Sequence, residues 1–347
     1  MFYLVRATEA EGKPYTFIHD SILTEAKLRF SETTDFRQPE AKSNLNNPNL
    51  FFDDAEIELS YMDQIQKLVH ADLKAGDTVF FGDAWNPAIP VLIHYLLATR
   101  LYGKVKLCGI VHASINAPGE YIQGSVAQGL EQFILKHFDH IFVATQYLKD
   151  ILCLSQSGKR KVHVTGLPLP QIENTVGDRE PTIIFPHRWS EDKQPDLFLL
   201  MAEKALPLYP NIKFKILSPD QVSDRLPELP SNVEYVYCKE KSTYFSEIAK
   251  SSVVFSAATL ETFGYAVIES VLAGNLPLVP DRLSYRELYK YEFKYVDEDG
   301  VHILLDRCHN LIVNRSNFSS GIEVFKSINI HASRTMFDYI EAKNENS

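Results

Sequence analysis

Several features that would assign a protein to a common class are missing from this sequence. No apolar run among its 347 residues reaches the length needed to cross a bilayer. Residues 1–12 hold a short strand-like run followed by polar residues, a pattern that does not match a secretory signal peptide. The four cysteines lie far apart and form no C-x-x-C pair, which favours reduced thiols. We therefore expect a cytoplasmic protein with no stable insertion in a membrane.

Signatures of metal, nucleoside-triphosphate and dinucleotide sites are missing as well. The sequence has no H-x-x-x-H pair, and Asp53-Asp54 is not the spaced carboxylate pair that holds a metal–diphosphate. It has no Walker A loop and no G-x-G-x-x-G fingerprint. We expect no metal ion and no bound cofactor. The formal net charge of −10 provides no overall basic field for nucleic acid, so a polyanionic partner would need a local basic patch.

The sequence does contain a repeated alternation of strand-like and helix-like segments. Short apolar runs predict strands, and segments with apolar residues at helical spacing lie between them. The predicted strands are residues 2–6, 77–81, 105–111, 140–144, 162–165, 182–185, 214–217, 233–236, 253–255 and 276–280. The predicted helices are residues 56–74, 88–102, 122–137, 146–154, 195–205 and 244–251, and one that begins at residue 265. This alternation is typical of an α/β fold with parallel, doubly wound sheets.

Polar segments divide the alternation into two parts. Residues 171–180 are polar and show no periodicity, which predicts a linker. We therefore predict an N-terminal Rossmann-like domain over residues 1–170, a C-terminal one over 181–320, and a closing helix and tail over 321–347. Residues 31–54 are rich in Asn and Pro and predict a long surface loop. Because such sheets bind ligands at the carboxyl ends of their strands, we expect the site in the cleft between the two domains.

The most informative stretch runs from residue 253 to residue 281. It predicts a strand that ends at Phe255, a loop of small residues, a helix that begins at Tyr265, and a further strand. Glu261 falls in the loop, and Glu269 falls about one and a half turns inside the helix. Both carboxylates can accept hydrogen bonds from hydroxyl groups, as a sugar and a ribose require. A buried strand–helix–strand unit with a solvated glutamate is the alternative interpretation.

The start of this helix predicts an anion site. The amides of Phe263, Gly264 and Tyr265 would be unpaired donors of the first turn, which suits a diphosphate. Gly264 would let a ligand approach the backbone closely. A loop earlier in the same domain adds Arg188 and Lys193, two cations that suit the same group.

Two loops of the N-terminal domain hold further candidates. His112 follows the predicted strand 105–111 and could bond a sugar or move a proton. Asp83 and Trp85 follow the predicted strand 77–81; the carboxylate could bind a hydroxyl, and the indole could stack on a ring. Each of these residues also has a purely structural interpretation. Asp83 and Trp85 are candidates for the acceptor side of the site.

Two motifs resemble those of the retaining GT-B glycosyltransferases, the large family that includes glycogen and sucrose synthases. They are P-H-R-W at 186–189 with Lys193, and E-x7-E from Glu261 to Glu269. A third motif, P-x-R-x-x-Y-R-E-L at 280–288, is most similar to the tRNA-queuosine mannosyltransferase group. After His112 this chain has Ala-Ser-Ile where that group has Glu-Asn-Gln, so the resemblance is stronger in the donor half than in the acceptor half.

The resemblance implies a role for each matching residue. It implies a GT-B fold, in which two Rossmann-like domains face each other across a cleft, and a nucleotide-sugar donor linked to UDP or GDP, with no metal. Arg188 and Lys193 would neutralise the donor diphosphate, and the amides of residues 263–265 would hold it. Glu269 would bind the ribose hydroxyls. The donor sugar would face two side chains, those of Glu261 and His112.

The sequence therefore predicts a metal-independent retaining glycosyltransferase that moves a sugar from a nucleotide-sugar to an acceptor hydroxyl. The group resemblance points to a hydroxyl on a modified nucleobase in tRNA or in hydroxymethylated DNA, with Arg37 and Lys42 in the 31–54 segment recognising it. A lipid-linked or polysaccharide acceptor is the alternative, although the sequence shows no strong apolar and basic patch in the N-terminal domain. A non-catalytic GT-B module that binds a nucleotide-sugar would share the fold, and so would a sugar-nucleotide epimerase.

Overall fold

The chain forms two compact units in a computed structural model that describes residues 1–7, 15–37, 54–118, 120, 123–152, 154, 156–172, 179–218, 221, 226–318 and 331–342. The first unit is Met1–Leu169 together with the C-terminal helix, and the second begins at Pro170. Each unit is built on its own six-stranded sheet. The predicted α/β class with two parallel sheets is therefore confirmed.

The first unit holds a six-stranded parallel sheet. Its strands are β1 (Phe2–Val5), β2 (Thr33–Phe36), β3 (Thr78–Phe81), β4 (Lys106–Val111), β5 (His140–Val143) and β6 (Val162–Val164). Its helices are α1 (Tyr15–Arg29), α2 (Asp54–His70), α3 (Ile89–Ala98), α4 (Ser125–Leu135), α5 (Gln146–Ile151) and α6 (Gln156–Lys159). The strand order is β2-β1-β3-β4-β5-β6, so the order reverses between β1 and β3. Such a topological switch point is where open α/β sheets bind ligands.

The second unit holds a parallel sheet with the order of a dinucleotide-binding fold. Its strands are β7 (Thr182–Phe185), β8 (Lys213–Ser218), β9 (Val233–Tyr237), β10 (Val253–Phe255), β11 (Leu276–Pro280) and β12 (Lys294–Tyr295). Its helices are α7 (Pro195–Leu208), α8 (Lys241–Lys250), α9 (Tyr265–Leu272), α10 (Tyr285–Leu288) and α11 (Val301–Val313). The strand order is β12-β11-β10-β7-β8-β9, so the switch point lies between β7 and β10.

The last described helix, α12 (Ala332–Glu341), returns to the first unit. The ring of Phe337 lies 5.4 Å from that of Phe2 on β1, and Arg29 on α1 lies 2.8 Å from Asp338. The helix falls inside the segment predicted to close the chain, but it is packed on the sheet formed by the opposite end of the sequence. The first unit is therefore assembled from both ends of the chain.

The predicted surface loop over residues 31–54 is wrong at both of its ends. Residues Thr33–Phe36 form β2, which pairs with β1 at the edge of the first sheet, and α2 begins at Asp54. The four residues of β2 are half-buried and mostly polar, so they lack the apolar alternation that predicts a strand. Arg37 follows β2 directly, whereas Lys42 lies outside the described residues. The helices α1, α6, α10 and α11 and the strand β12 were not predicted.

The strands at the centre of each sheet are buried on both faces. In the first unit β3 has no exposed residue, and in the second unit neither β10 nor β11 has one, which is why their sequences are apolar without alternation. Cys108, Cys238 and Cys308 are buried free thiols, and Cys153 lies outside the described residues. Within the described parts of the chain, no helix combines the length and the apolar character that a membrane span needs.

Candidate functional site

The loops that follow β7 and β10 meet at the switch point of the second sheet. The amide of Thr259 donates to the carbonyl of Asp192 at 2.8 Å, and the Thr259 hydroxyl donates to the same oxygen at 3.2 Å. These bonds tie the loop with the two predicted cations to the loop with the first predicted glutamate. Sequence reasoning placed both loops at carboxyl ends of strands, and the strand order makes them neighbours.

The two predicted cations and Glu261 lie together in these loops. Nζ of Lys193 donates to the carbonyl of Leu260 at 2.6 Å and lies 3.4 Å from Oε2 of Glu261. Nη2 of Arg188 lies 3.1 Å from Oδ2 of Asp192, and Nζ of Lys193 lies 3.2 Å from the same oxygen. Three of the predicted site residues are thus joined through one ion-pair network.

Asp192 is the member of this network that was not among the predicted site residues. Its carboxylate accepts from both cations and from the hydroxyl of Ser190, at 2.5 Å. Burial alone would raise the pKa of Asp192, but the neighbouring Lys193 and Arg188 lower that pKa to about 2. With Glu261, the network has two positive and two negative side chains. A diphosphate that binds here must therefore replace carboxylates as partners of the cations.

The imidazole of His187 lies buried beside the same network. Burial lowers its pKa to about 3, and the positive charge of Lys193 acts in the same direction. His187 is therefore neutral over the whole physiological range. Its Nε2 is buried and forms no hydrogen bond with the described residues.

The Glu261 carboxylate lies over the amides that precede α9. Its Oε1 accepts from the amides of Thr262 at 3.2 Å and Phe263 at 3.4 Å. The Phe263 amide, which was predicted to be unpaired, is thus occupied by the carboxylate of its own loop. An incoming phosphate would have to displace that oxygen to use this donor.

Gly264 occupies a position that admits no other residue. It is the residue before the first turn of α9, and its φ of 84° lies in the left-handed region. A Cβ atom there would lie 2.8 Å from Cε1 of Tyr285. The hydroxyl of Tyr285 is in turn hydrogen-bonded to that of Ser256 at 3.0 Å. Both the backbone conformation and the buried tyrosine therefore disfavour any side chain at this position.

The second predicted glutamate forms a separate ion pair. Glu269 is the fifth residue of α9, and its two oxygens lie 3.0 Å and 3.2 Å from Nζ of Lys241, the first residue of α8. Burial raises the pKa of Glu269, and the lysine opposes that shift. Lys241 was not predicted, because a lysine that opens a helix 28 positions earlier gives no sign of its partner.

Arg282 fixes the small-residue loop that carries this site. Its Nε donates to the carbonyl of Ala258 at 3.0 Å, and its Nη2 donates to that of Ala257 at 2.8 Å. A further ion pair joins it to Asp297. Arg282 is the first of the two arginines in the third motif, and its bonds hold the loop between β10 and Glu261.

In the first unit, His112 and Asp83 lie together at the carboxyl ends of β4 and β3. Nε2 of His112 lies 2.9 Å from the carbonyl of Gly82, and its ring meets that of Tyr15 edge-on at 5.0 Å. Burial lowers the pKa of His112, and the charge of Asp83 opposes this shift. Oδ1 of Asp83 accepts from the amide of Trp85 at 2.9 Å. The Trp85 ring is half-buried against the core of this unit.

Arg6 lies at the carboxyl end of β1 and was not among the predicted site residues. Its Nε and Nη2 donate to the two oxygens of Asp35 at 2.7 Å and 2.9 Å, and Nη2 also lies 2.7 Å from Asp20. Burial would raise the pKa of Asp35, but the bonds from Arg6 and Arg37 lower it. This paired arrangement joins β1, β2 and α1. Within the described ranges, no group of three or more His, Cys, Asp or Glu residues is arranged to hold a metal ion.

Comparison with known proteins found a partial sequence match and several similar solved structures. No protein-family model matches the sequence. A tRNA-queuosine alpha-mannosyltransferase of Drosophila melanogaster is 28% identical over 125 residues, which cover 33% of this chain and 32% of that protein. The match thus spans about a third of the length of this curated relative.

Solved structures give similarity over nearly the whole chain. HepE of Anabaena, in complex with UDP and glucose, has a TM-score of 0.67 at 11% identity and covers 98% of both chains. A sucrose-phosphate synthase from Thermosynechococcus elongatus has a TM-score of 0.67 at 12% identity, with 98% of this chain and 97% of that one covered. TarM has a TM-score of 0.59 at 13% identity and covers 80% of this chain and 58% of its own. These neighbours are GT-B glycosyltransferases, and the chain has the GT-B fold that its motifs predict.

Proposed function

We propose that this chain is a retaining glycosyltransferase that moves a sugar from a nucleotide-sugar to an acceptor hydroxyl. The observation that carries the proposal is the network of Arg188, Lys193 and Glu261 at the switch point of the second sheet. Cations beside the start of a helix are suited to a diphosphate. The similarity of the fold to glycosyltransferases that include a UDP complex supports the same donor class.

In the proposed reaction the cations change partners when the donor binds. Arg188 and Lys193 leave Asp192 and Glu261 and bind the oxygens of the diphosphate. Negative charge then grows on the leaving phosphate oxygen as its bond to the sugar breaks, and the two cations and the amides of Gly264 and Tyr265 stabilise that charge. This negative charge develops next to cations and amides that already contact the diphosphate. These groups therefore need to move little while the bond breaks.

The remaining predicted residues would hold the sugar and the nucleoside. Glu261, released from Lys193, would accept bonds from sugar hydroxyls, and Glu269 would accept bonds from the ribose. His112 is proposed to contact the sugar, and its lowered pKa keeps it uncharged for that role near neutral pH. The acceptor hydroxyl would attack from the face that the diphosphate leaves, its oxygen would form the new bond, and a leaving phosphate oxygen would take its proton.

A titration of purified protein with UDP-, GDP-, ADP- and TDP-sugars tests the donor site. The protein is used with and without EDTA, so that the same experiment tests metal independence. We expect one nucleotide to raise the melting temperature and Arg188→Ala to weaken its binding about 10- to 100-fold, as expected for lost hydrogen bonds to a charged group. Arg160→Ala, an exposed arginine of the first unit, is the matched control. No shift with any donor would overturn the proposal.

For the acceptor, we propose a hydroxyl on a modified nucleobase in tRNA or DNA. The match to a tRNA-queuosine alpha-mannosyltransferase supports this choice. The donor chosen by the titration is incubated with tRNA and with hydroxymethylated DNA, and the nucleosides are analysed by mass spectrometry. A sugar-sized mass increase is expected. Release of a changed sugar without any acceptor would instead identify an epimerase.

A lipid-linked acceptor is the second candidate, and one feature of the first unit favours it. Val126, Leu130 and Phe133 lie on one face of α4 and are 86%, 36% and 38% exposed. Nζ of Lys136 lies 4.5 Å from the Phe133 ring centre, so this apolar face has a basic edge, which the sequence did not predict. An apolar face with flanking lysines suits an anionic membrane surface. Sedimentation with anionic vesicles, reduced by Phe133→Glu, would support this acceptor class; no sedimentation would exclude it.

A further inference from the structure

The pair between Lys241 and Glu269 is not explained by the donor-site motifs. Nζ of Lys241 lies 3.0 Å from Oε1 and 3.2 Å from Oε2 of Glu269, so the ammonium bonds both oxygens almost equally. The Glu269 side chain is 5% exposed and that of Lys241 is 37% exposed. The lysine therefore covers a carboxylate that is otherwise buried, and it does so from the solvent side.

Aromatic rings of α8 hold the ammonium over this carboxylate. Nζ of Lys241 lies 4.9 Å from the ring centre of Tyr244 and 5.3 Å from that of Phe245. The Tyr244 hydroxyl donates to the carbonyl of Ala266 on α9 at 3.3 Å, which ties the two helices together beside the pair. Cations are attracted to the faces of such rings. Lys241 thus has a fixed position, which a lysine in a simple surface pair lacks.

The charge of Glu269 depends on this lysine. A buried carboxylate without a partner takes up a proton, because burial disfavours its charged form. In the described part of the chain, the ionisable groups that act on Glu269 are Lys241 and Tyr244, both on α8. The ammonium favours the ionised carboxylate, and the tyrosine adds a hydrogen bond of the same effect.

We propose that Lys241 is a positioning residue for the donor ribose, holding Glu269 as an oriented carboxylate that accepts bonds from the 2′- and 3′-hydroxyls. The inference rests on the proposed function, which assigns Glu269 to the ribose. A carboxylate has about four lone-pair positions on its two oxygens. One ammonium shared between both oxygens leaves each of them a position for a hydroxyl. A protonated carboxyl would lose part of this capacity, because one oxygen becomes a donor.

Isothermal titration of the full chain with UDP and GDP and with their 2′-deoxy forms tests the proposal. The variants are Lys241→Met, which removes the charge, and Lys241→Arg, which keeps it. Lys250→Met is the matched control, because this lysine lies on the same helix, is 52% exposed and also pairs with a glutamate, Glu247. Each protein is titrated between about pH 6 and pH 8.5, a range in which a carboxylate freed of its cation can regain its charge.

We expect the wild-type chain to prefer the ribonucleotide by about 10-fold or more, as a hydrogen bond to a charged group contributes. Lys241→Met should lose most of this preference, through weaker binding of the ribonucleotide. Its affinity should rise with pH as Glu269 ionises, whereas wild-type affinity stays level. Lys241→Arg should keep the preference, and Lys250→Met should match the wild type. If Lys241→Met does not fold, Lys241→Gln keeps a donor without the charge and should show the same loss.

Three results would overturn the proposal. A Lys241→Met protein that keeps the ribose preference and a level pH profile would show that the lysine only joins two helices. Tighter ribonucleotide binding by the same variant would show that the ammonium blocks the carboxylate. A wild-type chain that binds neither nucleotide would overturn the proposed function as well, so the two failures are distinguished.

Discussion

Both units place cations at the switch point of their sheet, but in different surroundings. In the first unit Arg6 follows β1; it is 1% exposed and bonds both oxygens of Asp35. In the second unit Arg188 and Lys193 follow β7; both are partly buried and share the carboxylate of Asp192, and Lys193 also lies 3.4 Å from Glu261. The two places are equivalent in topology. We therefore expect that a strand-end position does not by itself make a cation a ligand-binding group.

The two switch points differ in the free-energy cost of replacing a carboxylate partner of the cation by a phosphate. The Arg6 side chain is fully buried, so separating it from its carboxylates would leave an uncompensated buried charge. The side chains of Arg188 and Lys193 are 17% and 11% exposed, so we expect a phosphate to replace a carboxylate there at smaller cost. We therefore expect substitutions at Arg6 to change stability and substitutions at Arg188 or Lys193 to change donor affinity.

The largest effect is expected from Arg6→Ala. Breaking a buried ion pair and its hydrogen bonds should lower the free energy of unfolding by about 3 kcal/mol. Urea unfolding measures this loss. Arg37→Ala is the control, because the exposed Arg37 bonds the same Asp35 carboxylate at 3.0 Å and should contribute less than about 1 kcal/mol. Equal losses in the two variants would remove the distinction between the sites.

Lys193→Met should act mainly on binding. It removes an ammonium that bonds the Leu260 carbonyl and lies near Asp192 and Glu261, so the free energy of unfolding should fall. The fall should be smaller than in Arg6→Ala, because Arg188 remains as a partner of Asp192. Donor affinity should fall about 10- to 100-fold, because a charged hydrogen-bond donor to the diphosphate is lost. Calorimetric titration measures the affinity, with Lys204→Met on α7, an exposed lysine beside Glu203, as control. A stability loss as large as that of Arg6→Ala would mean that Lys193 is structural too.

Gly264→Ala should affect both properties of the second unit at once. An added Cβ meets a positive φ and the ring of Tyr285 at 2.8 Å, so the loop must shift. We expect a loss of stability of about 2 kcal/mol and a clear loss of donor affinity. Gly300→Ala is the control, because a Cβ there meets nothing within 4 Å and φ is −70°. Unchanged affinity in Gly264→Ala would show that the donor does not use this loop.

Much of the candidate site could be predicted from the sequence, because its charged residues lie in loops that follow apolar strands. Arg188, Lys193 and Glu261 could be found in that way, since buried strands and their ends are local features. Local features do not contain the order of strands in a sheet. Only that order, with β10 beside β7, brings the two loops together. The pairing therefore required the structure.

The residues that were missed share a physical reason. Asp192 stands next to Lys193 in the sequence and looks like an ordinary surface acid, although its backbone carbonyl joins two loops and its carboxylate contacts both cations. Lys241 begins α8, and its partner Glu269 lies on α9. Only the packing of these two helices brings the two side chains together. Arg6 ends an apolar strand, and its partner Asp35 lies on a polar edge strand without alternation. In each case the partner is distant or unremarkable in sequence, and burial gives the contact its importance.

The smallest predicted effect concerns acid stability of the first unit. Nδ1 of His140 lies 3.1 Å from Nε2 of His163, and the His163 ring stacks on Tyr339 of α12. Burial lowers the pKa of both histidines to about 4, and nearby positive groups act in the same direction. Because the unfolded chain takes up these protons at higher pH, stability should fall as pH decreases from about 6.5 to about 4.

Replacing both histidines by glutamine should reduce this fall by on the order of 1 kcal/mol, since the side chains are partly exposed. Urea unfolding at pH 7 and pH 5 compares the double variant with the wild type. In the second unit, Asp192 has its pKa lowered to about 2, so its contribution to stability is lost only below about pH 4. An identical fall in both proteins would mean that these histidines titrate as they do in the unfolded chain.

The return of α12 to the first unit has a consequence for synthesis on the ribosome. The sheet around Phe2 and Phe80 is translated first, yet Phe337, which packs on both rings, emerges only after the whole second unit. Exposed aromatic surface on an incomplete unit favours association with other chains. The second unit is continuous in sequence, so it can fold as it leaves the ribosome. The unit that is translated first is therefore completed last.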